Sequence, residues 1–211
     1  MWPFSPRLQN IVGIHITDNH IRFSRIQRNG ELYKLIDYYE QPLNRHEIIN
    51  GVPYKISQIV TYSNNFIASR TLQRPLLTFA LDDAWLNPRI ETSIRTEPHH
   101  SNIISQHHIG SNAWYTTDIA REQLFLYQLI ALQLSMPCNV ITTANSATLT
   151  ALHALTLTNN SEFKHDSDCD TYLQIYCTPE RLQRIDRNHC AISERALAIA
   201  LGLFIQGSEQ V

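Results

Sequence analysis

The groups in this chain that could do chemistry are ten histidines, some short acidic clusters, four cysteines and one opening hairpin. Four histidines form adjacent pairs, His99-His100 and His107-His108, with Glu97 close by. A tetrahedral metal site needs ligands at fixed spacing on rigid elements, such as two histidines one helical turn apart. Adjacent pairs in a polar stretch do not supply that spacing. They read as a solvated segment, and no metal ligand is assigned. Asp82-Asp83 and Asp166/Asp168/Asp170 lack the pattern of paired acid–base carboxylates and read as exposed loop charge. Cys138, Cys169, Cys177 and Cys190 contain no C-x-x-C pair, so reduced thiols are expected. No G-x-S-x-G elbow is present. No catalytic residue is assigned, and the chain is not expected to be an enzyme.

The hairpin is Gly13-Ile14-His15-Ile16-Thr17-Asp18-Asn19. A strand–turn–strand whose turn presents backbone N–H groups can hold nucleotide phosphates, provided a carboxylate organises the magnesium ion. Gly13, His15, Thr17 and Asp18 are therefore the candidate cofactor-binding residues. Glycine argues against a working phosphate cradle. The chain has 6 in 211 residues, against a usual share of about 7%, and close backbone approach to a phosphate normally uses glycine.

The elements that must position these groups follow from hydrophobic spacing. Residues 11–40 read as a three-stranded meander. Val12, Ile14 and Ile16 share one face, Gly13 and His15 the other, and Asn29-Gly30 marks a hairpin. Residues 41–59 read as loop, with a short helix near Lys55–Val60. Phe66–Leu72 and Leu76–Leu81 read as strands, followed by a short helix from Asp82. Residues 87–112 are polar and predict weak structure or exposed strands. Trp114-Tyr115 predicts a short strand, and Thr117 or Asp118 caps a helix running to about Leu134. That helix is apolar nearly all round from Leu124, which predicts burial on more than one side. Val140–Thr143 predicts a strand, and Asn145 caps the next helix. Ala147, Ala151 and Ala154 line a close-packing side of that helix. Residues 158–170 read as a polar loop, Thr171–Cys177 as a strand and Arg195–Phe204 as a small-residue apolar helix. Strands alternating with helices predict an α/β fold.

Composition sets the class. Apolar residues make up 43% of the chain and charged residues 17%, which suits a folded domain with a core. With 17 basic against 19 acidic side chains, a dominant nucleic-acid footprint is not expected. No signal peptide is apparent, and the longest apolar run, Ala196–Ile205, is half of what a bilayer needs.

The order of these pieces resembles the PilM family, actin-like proteins of type IV pilus assembly. Val12-Gly13-Ile14-His15-Ile16-Thr17-Asp18-Asn19-His20-Ile21-Arg22 resembles the family's opening, and Pro42-Leu43 with Ile48-Ile49-Asn50-Gly51 resembles its next segment. Ala68-Ser69-Arg70-Thr71-Leu72-Gln73-Arg74-Pro75 is similar to the strand leading into its inserted subdomain, especially in the HofM branch, which is linked to DNA uptake and utilisation. Thr116–Leu155 resembles its helix–strand–helix, and Ala196–Leu203 its closing helix.

The resemblance implies an α/β fold built on an actin-like (ribonuclease-H-like) lobe, with an inserted small α/β subdomain and a reduced second lobe. The implied units are a lobe core at 1–69 and 139–157, an insert at 70–138, and a vestigial second lobe with its closing helix at 158–211. It also implies a cytoplasmic scaffold associated with the inner membrane, in a pilus or DNA-uptake platform. Its partners would be the cytoplasmic tail of a PilN-like membrane protein and other platform subunits, with no direct nucleic-acid contact. Alternatives are an active ATPase of the same fold, a type II secretion platform subunit and, further off, a metal-dependent hydrolase. His15 stands where the family has an acidic residue, and no glycine-containing second phosphate loop appears around 157–175. ATP and magnesium binding are therefore expected to be lost or very weak.

Overall fold

The computed structural model describes residues 10–86, 88–91, 102–110, 113–156, 177–180, 182–187 and 190–209. Its centre is a six-stranded sheet. β1 (Ile11–Ile16), β2 (His20–Asn29) and β3 (Leu32–Pro42) form the antiparallel meander expected from the alternation and the Asn29-Gly30 turn. A two-residue-strand hairpin follows, β4 (Ile48–Ile49) and β5 (Val52–Pro53). β6 (Leu76–Leu81) lies parallel to β1 on its free side. A second sheet is formed by β7 (Arg89–Glu91), β8 (Asn102–Gly110) and β9 (Ala113–Ala120), with β9 in the middle. β10 (Cys138–Thr143) pairs parallel to β6, and β11 (Ile185–Asp186) pairs parallel to β3, completing the order β10-β6-β1-β2-β3-β11.

Every residue of β1 is buried because helices cover both faces of the sheet. On one face lie α1 (Ile56–Ser69) and α2 (Arg121–Gln133), over the core of Val12, Ile14, Ile16, Phe23, Leu77 and Phe79. Phe66 of α1 stacks on Phe23 with ring centroids 4.7 Å apart, and Tyr127 of α2 meets Phe79 edge-on at 5.8 Å. On the other face lie α3 (Ala144–Thr156) and α4 (Glu194–Glu209). Small residues let this layer close. Ala80, Ala144 and Ala147 pack with Ile199 and Leu203, and at Gly202 a Cβ would sit 1.8 Å from the Ala147 carbonyl oxygen. At Gly13 it would meet Leu203 at 3.2 Å and the Ser24 hydroxyl at 2.7 Å.

Several local expectations are overturned, each by tertiary context. Phe66–Leu72 is not a strand: α1 extends through Ser69, and Ile59, Ser63, Phe66 and Ile67 share its buried face at helical spacing. Residues 41–59 hold the β4–β5 hairpin, whose Asn50 and Gly51 both take positive φ. Thr117 and Asp118 do not cap α2. They are spent in β9, which pairs on both edges; the helix starts after Ala120 without a side-chain cap, and Arg89 donates to both Asp118 oxygens at 3.0 and 3.1 Å. Nor is α2 buried all round, since Phe125 is 61% exposed and Leu132 is 71% exposed. The α3 cap is Thr143, whose hydroxyl accepts from the Ser146 N–H at 3.1 Å; the Asn145 N–H is used elsewhere. The expected loop at 158–170 and most of the Thr171–Cys177 strand lie outside the described residues.

Gly202→Ala places a methyl group against immovable helix backbone. It should lower stability by about 3 kcal/mol or more, read as a shifted denaturation midpoint at unchanged slope.

Candidate functional site

The C-terminal ends of β1 and β6 meet the N-terminal ends of α3 and α4 around a cleft of about 290 Å³. His15, Thr17, Arg22, Asp82, Ser193 and Arg195 supply its polar lining. Antiparallel register explains one side: His15 of β1 faces Arg22 of β2, which faces Glu40 of β3. The Arg22 Nε donates to Glu40 at 2.9 Å, and the Tyr38 hydroxyl donates to the same oxygen at 3.0 Å. The other side comes from far along the chain. Arg195 sits in the first turn of α4, and its guanidinium donates to the Asn145 side-chain oxygen at 2.9 Å.

His15 is only 8% exposed, and neither ring nitrogen has a hydrogen-bond partner among the described residues. Burial pushes its pKa down to about 3, and the nearby Arg22 and Arg195 charges push the same way. The imidazole is therefore neutral at physiological pH. It also borders a smaller void of about 10 Å³ with Arg22, Ser24 and Tyr38, close to the space of one water.

Of the four residues singled out from sequence, the structure brings His15 and Thr17 to the cleft. Gly13 instead makes room for Leu203 of α4. Asp18 is half-buried in the turn and does not line the cleft, and one of its carboxylate oxygens has no partner among the described residues. The turn is closed on itself: the Thr17 N–H donates to the His20 carbonyl at 2.9 Å, and the His20 N–H to the Thr17 hydroxyl oxygen at 3.1 Å. Sequence reasoning missed Arg22, although its position opposite His15 follows from the hairpin register. It also missed Arg195, for which no local signal exists.

Asp83 is not an exposed loop charge. It is 5% exposed, at the start of a single 3-10 turn, Asp83–Trp85. One carboxylate oxygen accepts from the Tyr115 hydroxyl of β9, and the other from the Asn145 N–H of α3 at 2.6 Å. Burial raises its pKa to about 6 against the opposing pull of these donors and of Thr143. Asp82 stays at the cleft, with one oxygen accepting from the Ala84 N–H. Among the described residues no group of three or more His, Cys, Asp and Glu is placed to hold a metal. His107 and His108 lie in β8, whereas His99-His100 lie outside the described residues.

No protein-family model matches the sequence, and no curated protein matches it. Solved structures do. The chain superposes on the "PilM-PilN type IV pilus biogenesis complex" with a TM-score of 0.56 at 11% identity, covering 71% of this chain and 51% of that one. The fold is actin-like. The chain thus spans about half the length of that relative. Weaker likenesses are the cytoplasmic domain of EpsL from the Vibrio cholerae type II secretion system (TM-score 0.42, 7% identity, 65% of this chain and 58% of that one) and a Bacteroides thetaiotaomicron protein with an actin-like ATPase fold (0.39, 8%, 70% and 56%).

Toward the magnesium nucleotide that the resemblance implies, this actin-like cleft offers one carboxylate among its described lining residues, Asp82. Magnesium needs hard oxygen ligands, and the residue at the end of β1 is an imidazole. Two guanidinium groups face the same space and repel a cation. The residues around 157–175, where a second phosphate loop would be sought, lie outside the described residues.

His15 and Asp83 make opposite contributions to acid stability. Between pH 3 and 6.5 the unfolded chain protonates its histidine while native His15 stays neutral, so stability rises with pH. Between pH 3.8 and 6 native Asp83 keeps its proton while the unfolded chain has lost it, so stability falls with pH. The two slopes oppose each other from about pH 4 to 6. Asp83→Asn should expose the histidine slope, up to about 1.4 kcal/mol per pH unit upward, and His15→Asn the downward one, in urea titrations across that range.

Proposed function

We propose that this chain is a scaffold of the cytoplasmic assembly platform of a type IV pilus or DNA-uptake machine. In this reading it docks the cytoplasmic tail of a PilN-like membrane protein and does not turn over ATP. The observation that carries the reading is the shared fold with the PilM–PilN complex, supported by a cleft that, among its described lining residues, sets a single carboxylate, Asp82, among the His15 ring and two guanidinium groups. No described helix is long and apolar enough to cross a membrane, so attachment to the inner membrane would run through the partner.

A docking face for such a tail lies where α2 meets the β4–β5 hairpin. Gln123 and Tyr127 of α2 donate to the carbonyls of Asn50 and Gly51, fixing the two elements together. Ile49 and Tyr54 at the hairpin and Phe125 and Leu132 on α2 are all at least 36% exposed. Apolar groups left outside on a fixed frame suit an amphipathic segment that lays its own apolar side chains against them.

A peptide of the PilN-type tail should bind the purified chain. Phe125→Ser and Leu132→Ser should each weaken it about tenfold with stability nearly unchanged, since both side chains are exposed. Equal binding by both variants would move the docking face elsewhere. Calorimetric titration with magnesium-ATP should show no micromolar binding, and no phosphate should be released on incubation.

A further inference from the structure

We propose that the cleft at the end of β1 binds a phosphoryl oxyanion directly, without a metal ion, between Arg22, Arg195 and the His15 ring. Binding a phosphate through magnesium requires carboxylates to hold the cation. Binding it without the cation requires the reverse, guanidinium forks and neutral N–H donors. The cleft carries the second set. Arg22 enters from β2, and Arg195 enters from α4 and is steadied by Asn145.

His15 is the independent sign of a ligand. It is more than nine-tenths buried, lines the cleft, and has no partner for either nitrogen among the described residues. Leaving a buried polar group unsatisfied costs about 1–3 kcal/mol, so the arrangement gains when something in the cleft accepts its N–H. A neutral imidazole is the right form: it donates one N–H to an oxyanion and brings no charge needing burial. The first turn of α4 adds its dipole, with Ser193 and Arg195 both at the cleft.

The acidic groups nearby do not reverse this. Glu40, on the strand away from His15, accepts from the Arg22 Nε at 2.9 Å, which leaves the Nη groups of that guanidinium for the anion; it also accepts from Tyr38 and pairs with His20 at 3.4 Å. Glu194 is drawn to Arg187 at 3.2 Å. Asp82 lines the cleft, with one oxygen turned into its own 3-10 turn. The oxyanion is accordingly placed toward His15 and the two guanidinium groups.

The test is a titration of the full chain with inorganic phosphate and then pyrophosphate, in excess chelator at physiological ionic strength. Binding is read by calorimetry and by the nitrogen resonances of the His15 ring. Both anions should bind, pyrophosphate the tighter, with the His15 signals moving in step. Arg22→Gln and Arg195→Gln should each weaken pyrophosphate about tenfold or more, since each removes charged hydrogen bonds. His15→Phe, which keeps the ring and removes its nitrogens, should weaken it less. Thermal melting confirms that each variant is folded, and Arg22→Lys, which keeps charge but not the fork, should fall between wild type and Arg22→Gln. The proposal is overturned if the His15 signals do not move up to about 10 mM anion, if binding requires added magnesium, or if both glutamine variants bind as the wild type does. The tail-peptide titration reads a different face, so each result stands without the other.

Discussion

A buried carboxylate organises this molecule. Asp83 leaves the end of β6 and is taken out of water, which is costly unless donors meet it. The donors come from three places: Tyr115 of the second sheet, the start of α3, and Thr143 at the end of β10. One side chain thus joins the small sheet to the main one and sets the entry of α3, whose N-terminus favours the negative charge. The consequence reaches the cleft. With its N–H held by Asp83, Asn145 presents its side-chain oxygen to Arg195, and Arg195 is thereby held at the mouth beside His15.

The second constraint is steric. α4 approaches the sheet and α3 so closely that Gly13, Gly202 and Ala147 leave no room for larger groups. That closeness carries the helix start, with Ser193 and Arg195, up to the end of β1. The small-residue run Ala196–Leu203 is therefore the reason the cleft has a second arginine at all. On the opposite face the packing is large and aromatic, with Phe23, Phe66, Phe79 and Tyr127 filling the space under α1 and α2. The two faces have diverged: one is compressed to form a cleft, the other is filled and leaves apolar side chains over on the outside of α2.

Those leftover side chains show how far composition can mislead. A helix apolar nearly all round reads as buried on several sides, yet α2 buries a single stripe through Gln123, Tyr127, Ile130 and Ala131. Phe125 and Leu132 lie outside that stripe and stay in water.

Much of the architecture was legible in the residues alone. Alternation in β1–β3, the Asn29-Gly30 turn, the apolar run of β6 and the helical spacing of α3 and α4 each follow from local periodicity, and their order resembles an actin-like lobe. The departure from the resembled family's opening was equally legible, because it is written at one position, His15. What only tertiary structure decided were the relations between distant groups. Asp83 looked like loop charge because burial is a property of neighbours, and Tyr115 and Asn145 are neighbours in space alone. Phe66 looked like strand because a short apolar run has no period of its own until Phe23 lies beneath it. Arg195 carried no signal in its own segment. Its place opposite Arg22 exists because small side chains let one helix sink against a sheet edge, and no local propensity encodes that distance.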